Sequence, residues 1–267
     1  MAAVLAVCSV NVNGIRAAHR RGGIDWLARG GGHDVVLLQE VRASTPQLQE
    51  ATAGLGEFHV AHAEATAAGR SGVAILSRTP VRDVRETLAE PFAGSGRWVE
   101  ATVDTELGPV RMVSVYVHTG EADSPRQDEK YAFLEAMTER MAELADAGVP
   151  TLVAGDLNIA HTARDIRNAK GNVGKAGYLP AEQEYLSRWT ADGCWVDLGR
   201  AHAGDVDGPY TWWTWRGQAF DRDVGWRIDY AFATADLAQR LAAVEVGRAP
   251  SYAERWSDHA PVTVRFS

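Results

Sequence analysis

Cysteine is scarce in this sequence, and long apolar runs are absent. The chain of 267 residues has two cysteines, Cys8 and Cys194, too few for a disulfide scaffold or a four-thiolate zinc site. No stretch of about 20 mostly apolar residues occurs, so no membrane-spanning helix is expected. The apolar residues 1–14 lack a basic leader and run into polar Asn11 and Asn13, which indicates a strand rather than a signal peptide. We therefore expect a cytoplasmic protein with reduced thiols.

Basic charge and several common catalytic motifs are also in short supply. Lys and Arg number 27 against 35 Asp and Glu, a net charge of −8, which argues against a protein that holds nucleic acid by bulk electrostatics. A local basic patch is compatible with this balance. The sequence has no G-x-S-x-G, HExxH, P-loop or CxxC pair, so serine hydrolases, zinc peptidases and nucleotide triphosphatases lack their usual signatures.

Apolar runs typical of strands alternate with helical patterns along the chain. The clearest helical pattern extends from Pro125 to about Ala147, with apolar residues at spacings of three and four, and a second follows Pro180. No internal repeat, low-complexity tract or linker is present, so we expect one α/β domain over residues 1–267. Strands are predicted at 4–12, 34–40, 72–77, 97–104, 110–117, 151–155, 227–233 and 261–266.

Several predicted strands end in polar side chains that have no use in packing. In layered α/β folds, strand ends of this kind converge on one site. The clusters are Asn11/Asn13, Gln39/Glu40, Tyr116/His118, Asp156/Asn158, Asp229 and Asp258/His259.

Two of these clusters indicate a hard metal ion. Asp156 and Asn158 in TLVAGDLN are two residues apart, which predicts side chains on one face of an extended segment. A buried acid at a strand end needs a cation or hydrogen-bond donors, although an isolated turn aspartate is the alternative. Glu40, at the end of DVVLLQE, is a candidate metal ligand unless it simply emerges into solvent. An oxygen-rich set suits Mg²⁺ or Mn²⁺, and with acid–base groups nearby it indicates phosphoryl chemistry.

The pair Asp258 and His259 lies just before the last predicted strand. An imidazole oriented by a carboxylate suits proton transfer or phosphate contact. Adjacent residues in a strand face opposite ways, so we expect Asp229 rather than Asp258 to orient His259. A surface Asp-His pair is the alternative.

Short motifs then occur in a fixed order: NVNGIRA (11–17), QE (39–40), GDLN (155–158), WRIDY (226–230) and SDHAPV (257–262). Together they resemble the endonuclease/exonuclease/phosphatase superfamily with the DNase I-like fold. Two longer blocks, 164–183 and 210–230, narrow the resemblance to the exonuclease III and apurinic/apyrimidinic endonuclease branch. The resemblance extends from residue 7 to the C terminus.

The resemblance implies a four-layer αββα sandwich, two packed mixed β-sheets flanked by helices, with the site at one end. It implies a Mg²⁺- or Mn²⁺-dependent phosphodiesterase of base excision repair, which nicks double-stranded DNA 5′ to abasic sites and leaves a 3′-hydroxyl. It also implies 3′-to-5′ exonuclease and 3′-end-cleaning activities. We take a monomer as the default state.

By resemblance, Glu40 is the principal metal ligand. Asn13 and Asp258 match positions that serve the metal site in some members. Asp156 and Asn158 are also candidate metal ligands. The carboxylates and amides are again ligands of the type that Mg²⁺ prefers.

The resemblance also assigns catalytic roles. Asp156 matches the aspartate that exchanges a proton with the attacking water, and Asn158 the asparagine that positions it. His259 matches the histidine that contacts phosphate, Tyr116 matches a tyrosine whose hydroxyl reaches the scissile phosphate, and Asn11 supports the group by hydrogen bonding. The full implied set is Asn11, Tyr116, Asp156, Asn158, Asp229 and His259.

Two segments are implied to bind substrate. Trp212, Trp226 and Ile228 match an apolar pocket for a flipped-out abasic sugar, although tryptophans also simply fill cores. The segment 164–177 has four basic residues against Asp165 alone, a local excess of +3, and can track phosphates; a charged solvent loop is the alternative. Its candidate contact residues are Arg164, Arg167, Lys170, Asn172 and Lys175.

The sequence departs from the family pattern at two places. Arg42 stands where a lysine usually follows the metal-site glutamate, and 117–120 read Val-His-Thr-Gly where Pro-Asn-Gly is common. The second change puts the placement of Tyr116 in doubt. Two alternatives stay open: a superfamily relative that hydrolyses a phosphorylated small molecule or lipid, and a non-catalytic DNA-binding protein that keeps only the fold.

Overall fold

The computed structural model describes residues 4–29 and 32–267. Residues 1–3 of the predicted N-terminal strand segment lie outside the described residues. The strands are β1 (Leu5–Asn11), β2 (Val35–Gln39), β3 (His59–Ala63), β4 (Val73–Ser77), β5 (Val81–Arg85), β6 (Trp98–Thr105), β7 (Gly108–Tyr116), β8 (Thr151–Asp156), β9 (Trp195–Asp197), β10 (Asp229–Thr234), β11 (Leu241–Val246) and β12 (Val262–Phe266).

The helices lie mostly between strands. Both helices that the sequence predicts are present, and each begins at its proline. Among the described residues, none of the helices is long and apolar enough to cross a membrane. The helices are α1 (Ile15–Arg20), α2 (Gly23–Arg29), α3 (Thr45–Thr52), α4 (Pro125–Asp146), α5 (Ala169–Asn172), α6 (Pro180–Ala191), α7 (Leu198–Ala203) and α8 (Ala235–Ala238).

The strands form two mixed sheets of six strands each. The first has the order β11-β12-β1-β2-β4-β3 and the second the order β5-β6-β7-β8-β10-β9. In each sheet one central pair is parallel, β1 with β2 and β7 with β8. The inner faces of the two sheets share one apolar core, to which Leu37 and Ile75 contribute from one sheet and Met112 and Leu152 from the other.

Helices cover both outer faces. Helices α1, α2 and α3 pack on the first sheet through Ile15, Leu27 and Leu48. Helices α4 and α6 pack on the second through residues such as Phe133 and Leu186. The predicted four-layer αββα sandwich is therefore confirmed.

The sequence predicted eight strands and missed β3, β5, β9 and β11. These four are the edge strands of the two sheets. An edge strand has only one neighbour and is less completely covered, so it needs no continuous apolar run. Strand β5, VRDVR, is exposed along four of its five residues, which explains why its sequence gave no strand signal.

Candidate active site

The site lies where central strands of both sheets end. In the second sheet, Asp156 is opposite Tyr116 on one side and Asp229 on the other. Asn11 ends β1 in the first sheet and donates from Nδ2 to Asp156 Oδ2 at 2.9 Å. A Cβ on Gly155 would lie 1.9 Å from the carbonyl oxygen of Val115, so the residue before Asp156 has to be glycine.

Residues just after the strands adopt left-handed backbone conformations. The φ values are 47° at Asn13, 50° at Glu40, 50° at Arg42 and 52° at Asn158. Such values are uncommon for residues other than glycine and concentrate at functional sites. Our prediction of one extended segment from Asp156 to Asn158 is wrong, because β8 ends at Asp156 and the chain turns there.

The turn brings Asn158 onto Asp156 through hydrogen bonds. The backbone N–H of Asn158 donates to Asp156 Oδ1 at 2.8 Å, and its side-chain Nδ2 donates to Asp156 Oδ2 at 3.1 Å. The same Nδ2 also donates to the carbonyl oxygen of Val117 at 2.8 Å. With the bond from Asn11, the buried carboxylate accepts three N–H groups, which fix its orientation.

The imidazole of His259 is oriented by Asp229. Its Nδ1 lies 2.9 Å from Asp229 Oδ2, and its Nε2 lies 3.7 Å from Asp156 Oδ2. Thr211 Oγ1 donates to Asp229 Oδ2 at 2.6 Å, which fixes the carboxylate from behind. Asp258 faces elsewhere: its Oδ1 accepts from Asn13 Nδ2 at 2.8 Å.

Burial and neighbouring charges shift two pKa values in this cluster. Burial raises the pKa of Asp156 to about 8, helped by the negative charges of Asp229 and Glu40 and opposed by His259. Burial by itself lowers the pKa of His259, but the carboxylates of Asp229 and Asp156 outweigh it and raise that pKa to about 10. Both groups therefore hold their protons to higher pH than they would in water.

The candidate metal ligands lie at the mouth of the site. Glu40 Oε1 accepts from Asn11 at 2.8 Å, and its other oxygen pairs with Arg42. Asp258 Oδ2 accepts from Trp212 Nε1 at 3.2 Å. Carboxylate and amide oxygens of this kind fit a hard divalent cation.

The charges of the side chains around the pocket also fit a divalent cation. The carboxylates of Glu40, Asp156 and Asp258 line one pocket together with Arg42 and His259, and Asp229 pairs with His259 from behind the lining. Ligand atoms of Asp156, Asp229 and His259 also lie within 4.8 Å of one another, but His259 Nδ1 is engaged by Asp229. The oxygen-rich mouth around Glu40 therefore fits a cation better than the imidazole side does.

An open pocket of about 290 Å³ joins these groups. Trp212, Trp226 and Ile228 form its apolar wall, and the two indoles meet edge to face with ring centroids 6.1 Å apart. Gly177 completes the wall: a Cβ there would lie 3.1 Å from Trp226 and 3.1 Å from the carbonyl oxygen of Asn158. The predicted site residues that line the pocket are Asn13, Glu40, Asp156, Asn158, Trp212, Trp226, Ile228, Asp258 and His259.

The remaining predicted site residues lie outside the pocket lining. Asn11 is fully buried beneath it. Tyr116 is half-buried beside Glu40 and Asp156, with Arg97 stacked 4.9 Å from its ring centroid. Burial, followed by the charges of Glu40 and Asp156, raises the pKa of Tyr116, so its hydroxyl stays protonated.

The basic segment 164–177 has less free charge than its sequence indicates. Arg164 Nε lies 2.5 Å from Asp205 Oδ1, and Arg167 Nη1 lies 3.9 Å from Asp207 Oδ2. The local excess of +3 is thus offset by two acids about 40 residues further along the chain. Three other predicted contact residues do not line the pocket: Lys170, Asn172 and Lys175. Lys175 Nζ donates to Asn172 Oδ1 at 3.2 Å.

Sequence reasoning missed several supporting residues. Thr211 follows Tyr210 in an aromatic block, and its hydroxyl bond to Asp229 has no sequence signature. Ser257 Oγ donates to the carbonyl oxygen of Asn11 at 2.7 Å, and Thr119 lines the pocket with its hydroxyl 3.2 Å from Asn158 Oδ1. Thr119 lies in the segment where the sequence departs from the family pattern, which was the one available signal.

Two known nucleases are similar to this chain in sequence. The chain is 31% identical to the exodeoxyribonuclease of Bacillus subtilis over 97% of its own length and 98% of that protein. It is 30% identical to the DNA repair nuclease APEX1 of Danio rerio over 98% and 82% of the two chains.

A solved structure has the same fold over nearly its whole length. The 3′-5′ exonuclease NExo from Neisseria meningitidis superposes with a TM-score of 0.86 at 29% identity, covering 98% of this chain and all of that one. The model of the Endonuclease/Exonuclease/phosphatase family matches residues 8–259. The chain therefore belongs to the Endonuclease/Exonuclease/phosphatase family.

Proposed function

We propose that this protein is a divalent-metal-dependent DNA repair nuclease that nicks duplex DNA 5′ to abasic sites and leaves a 3′-hydroxyl. We further propose that it removes nucleotides and blocking groups from 3′ ends, and that residues 1–267 act in the cytoplasm as one catalytic domain and as a monomer. The observation that carries the proposal is the buried carboxylate of Asp156, which accepts three N–H groups and opens onto a pocket with an indole wall.

In this proposal Asp156 is the general base. It takes a proton from the water that attacks phosphorus, and a pKa raised to about 8 suits proton transfer near neutral pH. Asn11 and Asn158 keep the carboxylate in a single orientation while the proton moves. General acid–base catalysis of this kind contributes about 10²–10⁴-fold to the rate.

The other polar groups act on the phosphate. His259, protonated and held by Asp229, donates from Nε2 to a non-bridging oxygen, and the protonated hydroxyl of Tyr116 donates to the same group. Donors arranged before the reaction stabilise the charge that develops in the transition state. Glu40, Asn13 and Asp258 would hold Mg²⁺ or Mn²⁺, which supplies positive charge against the negative charge on the phosphate oxygens.

The indole wall selects the lesion. In this proposal a flipped-out deoxyribose without a base packs against the apolar wall of Trp212, Trp226 and Ile228 in the pocket of about 290 Å³. A missing base also lowers the unstacking free energy. The named relatives, an exodeoxyribonuclease and a DNA repair nuclease, support DNA as the substrate.

The test compares two 5′-labelled duplexes, one with a single abasic-site analogue and one intact. Each is incubated with Mg²⁺ or Mn²⁺, and separately with EDTA. We expect a single metal-dependent nick 5′ to the analogue. A ladder that shortens from the 3′ end on both duplexes would make the protein chiefly an exonuclease.

Two variants control the assay. Asp156→Asn removes the proposed base and should abolish the nick, whereas Asp146→Asn makes the same chemical change at an exposed site on α4 and should leave it intact. No cleavage of either duplex by the folded wild-type protein would overturn the proposal. Phosphorylated small molecules and lipids would then be the substrates to try.

A further inference from the structure

Helix α4 carries a buried lysine directly beneath the catalytic turn. Lys130 is fully buried, and its Nζ donates to the backbone carbonyl oxygen of Asn158 at 2.9 Å and to Glu182 Oε1 at 2.7 Å. The other buried residues of α4 that face the sheet are mainly apolar, such as Phe133 and Met137. Packing alone would favour leucine or methionine at position 130.

The partner of this lysine is itself fixed in place. Glu182 is fully buried in the first turn of α6, where its Oε2 accepts from the backbone N–H of Leu179 at 3.0 Å. Its Oε1 also accepts from Gln127 Nε2 at 3.0 Å. The ammonium is therefore anchored to two helices, and it contacts the site through the carbonyl oxygen of Asn158.

This contact reaches the residue that orients the proposed base. Asn158 has a left-handed backbone with φ of 52°, and its N–H and Nδ2 both donate to Asp156. With the carbonyl oxygen held on one side and the two donors on the other, the residue has little freedom to rotate. A charge-assisted bond to the carbonyl offsets the unfavourable backbone conformation.

We propose that Lys130 is a positioning residue of the nuclease reaction, which locks Asn158 so that it orients the carboxylate of Asp156. The proposal rests on the function proposed above. Lys130 touches neither the pocket nor substrate, so its loss should lower kcat and leave KM unchanged. Misplacement of a catalytic group by about 1 Å lowers the rate about 100-fold.

The test has to remove the ammonium without leaving a buried charge unpaired, because an orphaned Glu182 would destabilise the fold. The double variant Lys130→Met/Glu182→Gln does this. The matched control is Arg140→Met/Glu100→Gln, which removes another ion pair between α4 and its surroundings, since Arg140 bonds to the buried Glu100 on β6. Lys130→Arg should recover part of the lost rate.

We expect the Lys130 pair variant to show a kcat about 100-fold lower with KM within about twofold, and the Arg140 pair variant to keep wild-type kcat. Full kcat in the folded Lys130 pair variant would overturn the proposal. Equal losses of kcat in both pairs would also overturn it, because that result describes a general structural role.

A second readout does not depend on activity. Hydrogen exchange of the Asn158 amide, which donates to Asp156, should be faster in the Lys130 pair variant and unchanged in the Arg140 pair variant. If the wild-type protein cleaves neither duplex, the proposed function fails, and the exchange rate still decides whether Lys130 positions Asn158. An unchanged exchange rate at Asn158 would overturn the positioning role by itself.

Discussion

The same strands build both ends of the layer between the two sheets, but one end is apolar and the other is polar. At one end Leu5, Val35 and Leu152 pack against each other without a polar atom in their side chains. Further along these strands the inward positions become Asn11, Gln39 and Asp156, all of them buried. Because successive inward positions are two residues apart in a strand, the change from core to site takes three steps along β1 and two along β2 and β8.

A polar layer separates the two ends. Gln39 Nε2 donates to Ser114 Oγ at 3.0 Å across the two sheets, and Ser114 Oγ donates to the carbonyl oxygen of Leu38 at 2.9 Å. The apolar end stabilises the sandwich, and the polar end presents buried groups that need partners or a cation. Changes at the two ends should therefore affect different properties.

The largest expected effect is on activity, from Asp156→Asn at the polar end. Loss of the base should lower kcat by about 10³-fold or more. Because burial raises the pKa of this carboxyl, its ionised form is unfavourable in the folded protein. The variant should therefore be at least as stable as the wild type in EDTA at pH 8, by urea unfolding. A less stable variant would contradict the division between the two ends.

The corresponding change at the apolar end is Leu152→Ala. Leu152 is fully buried and lies on the same strand as Asp156. The substitution should lower the free energy of unfolding by about 2–5 kcal/mol. At a temperature where the variant stays folded, kcat on the abasic duplex should match that of the wild type. A kcat as low as that of Asp156→Asn would show that the two ends are not independent.

The polar end should also make stability depend on pH in the metal-free protein. Asp156 and His259 both bind their protons more tightly when folded, with pKa values of about 8 and about 10 against ordinary values of 3.8 and 6.5. Their contribution is complete below the ordinary values and disappears as pH rises through the folded ones. Stability should thus fall from about pH 4 to pH 10, by up to about 1.4 kcal/mol per pH unit for each proton.

The loss of stability between pH 8 and 10 comes from His259. In the variant His259→Gln, urea unfolding in EDTA should show a flatter pH dependence between pH 8 and 10. His202→Gln, at an exposed position on α7, makes the same change away from the cluster and should keep the wild-type slope. Equal slopes in all three proteins would contradict the ion pair between His259 and Asp229.

The sequence predicted the central strands and the strand-end residues for one physical reason. Strands covered on both faces must be apolar along their length, so a polar residue at their end stands out, as Asp156 and Glu40 do. The four edge strands are partly exposed and lack that contrast. The left-handed turn at Asn158 was also invisible, because asparagine occurs in turns, caps and loops alike.

Long-range partners account for the other omissions. Lys130 and Glu182 are 52 residues apart, and a helical lysine is usually exposed, so nothing marked them as a buried pair. In the same way, the count of basic residues in 164–177 was correct, but the acids that face them come from a different loop. Local composition gives the charge of a segment and leaves out the charges that folding brings to it.

The smallest expected effect is on DNA affinity, from the acids that face the basic segment 164–177. Asp205→Asn/Asp207→Asn removes the two acids that pair with Arg164 and Arg167. Exposed ion pairs are each worth at most about 1 kcal/mol, so affinity for duplex DNA should rise only a few-fold. The slope of log affinity against log salt should steepen by up to about 2, since two more arginines can release counterions from phosphates.

Fluorescence anisotropy with a labelled abasic duplex, from 50 to 200 mM salt, measures both quantities. Asp83→Asn/Asp104→Asn is the matched control: it removes the same charge around Arg82, which pairs with these acids on β5 and β6. If both double variants bind more tightly by the same factor, only net charge matters. A gain confined to the 205/207 variant means that these acids compete with DNA phosphates for Arg164 and Arg167.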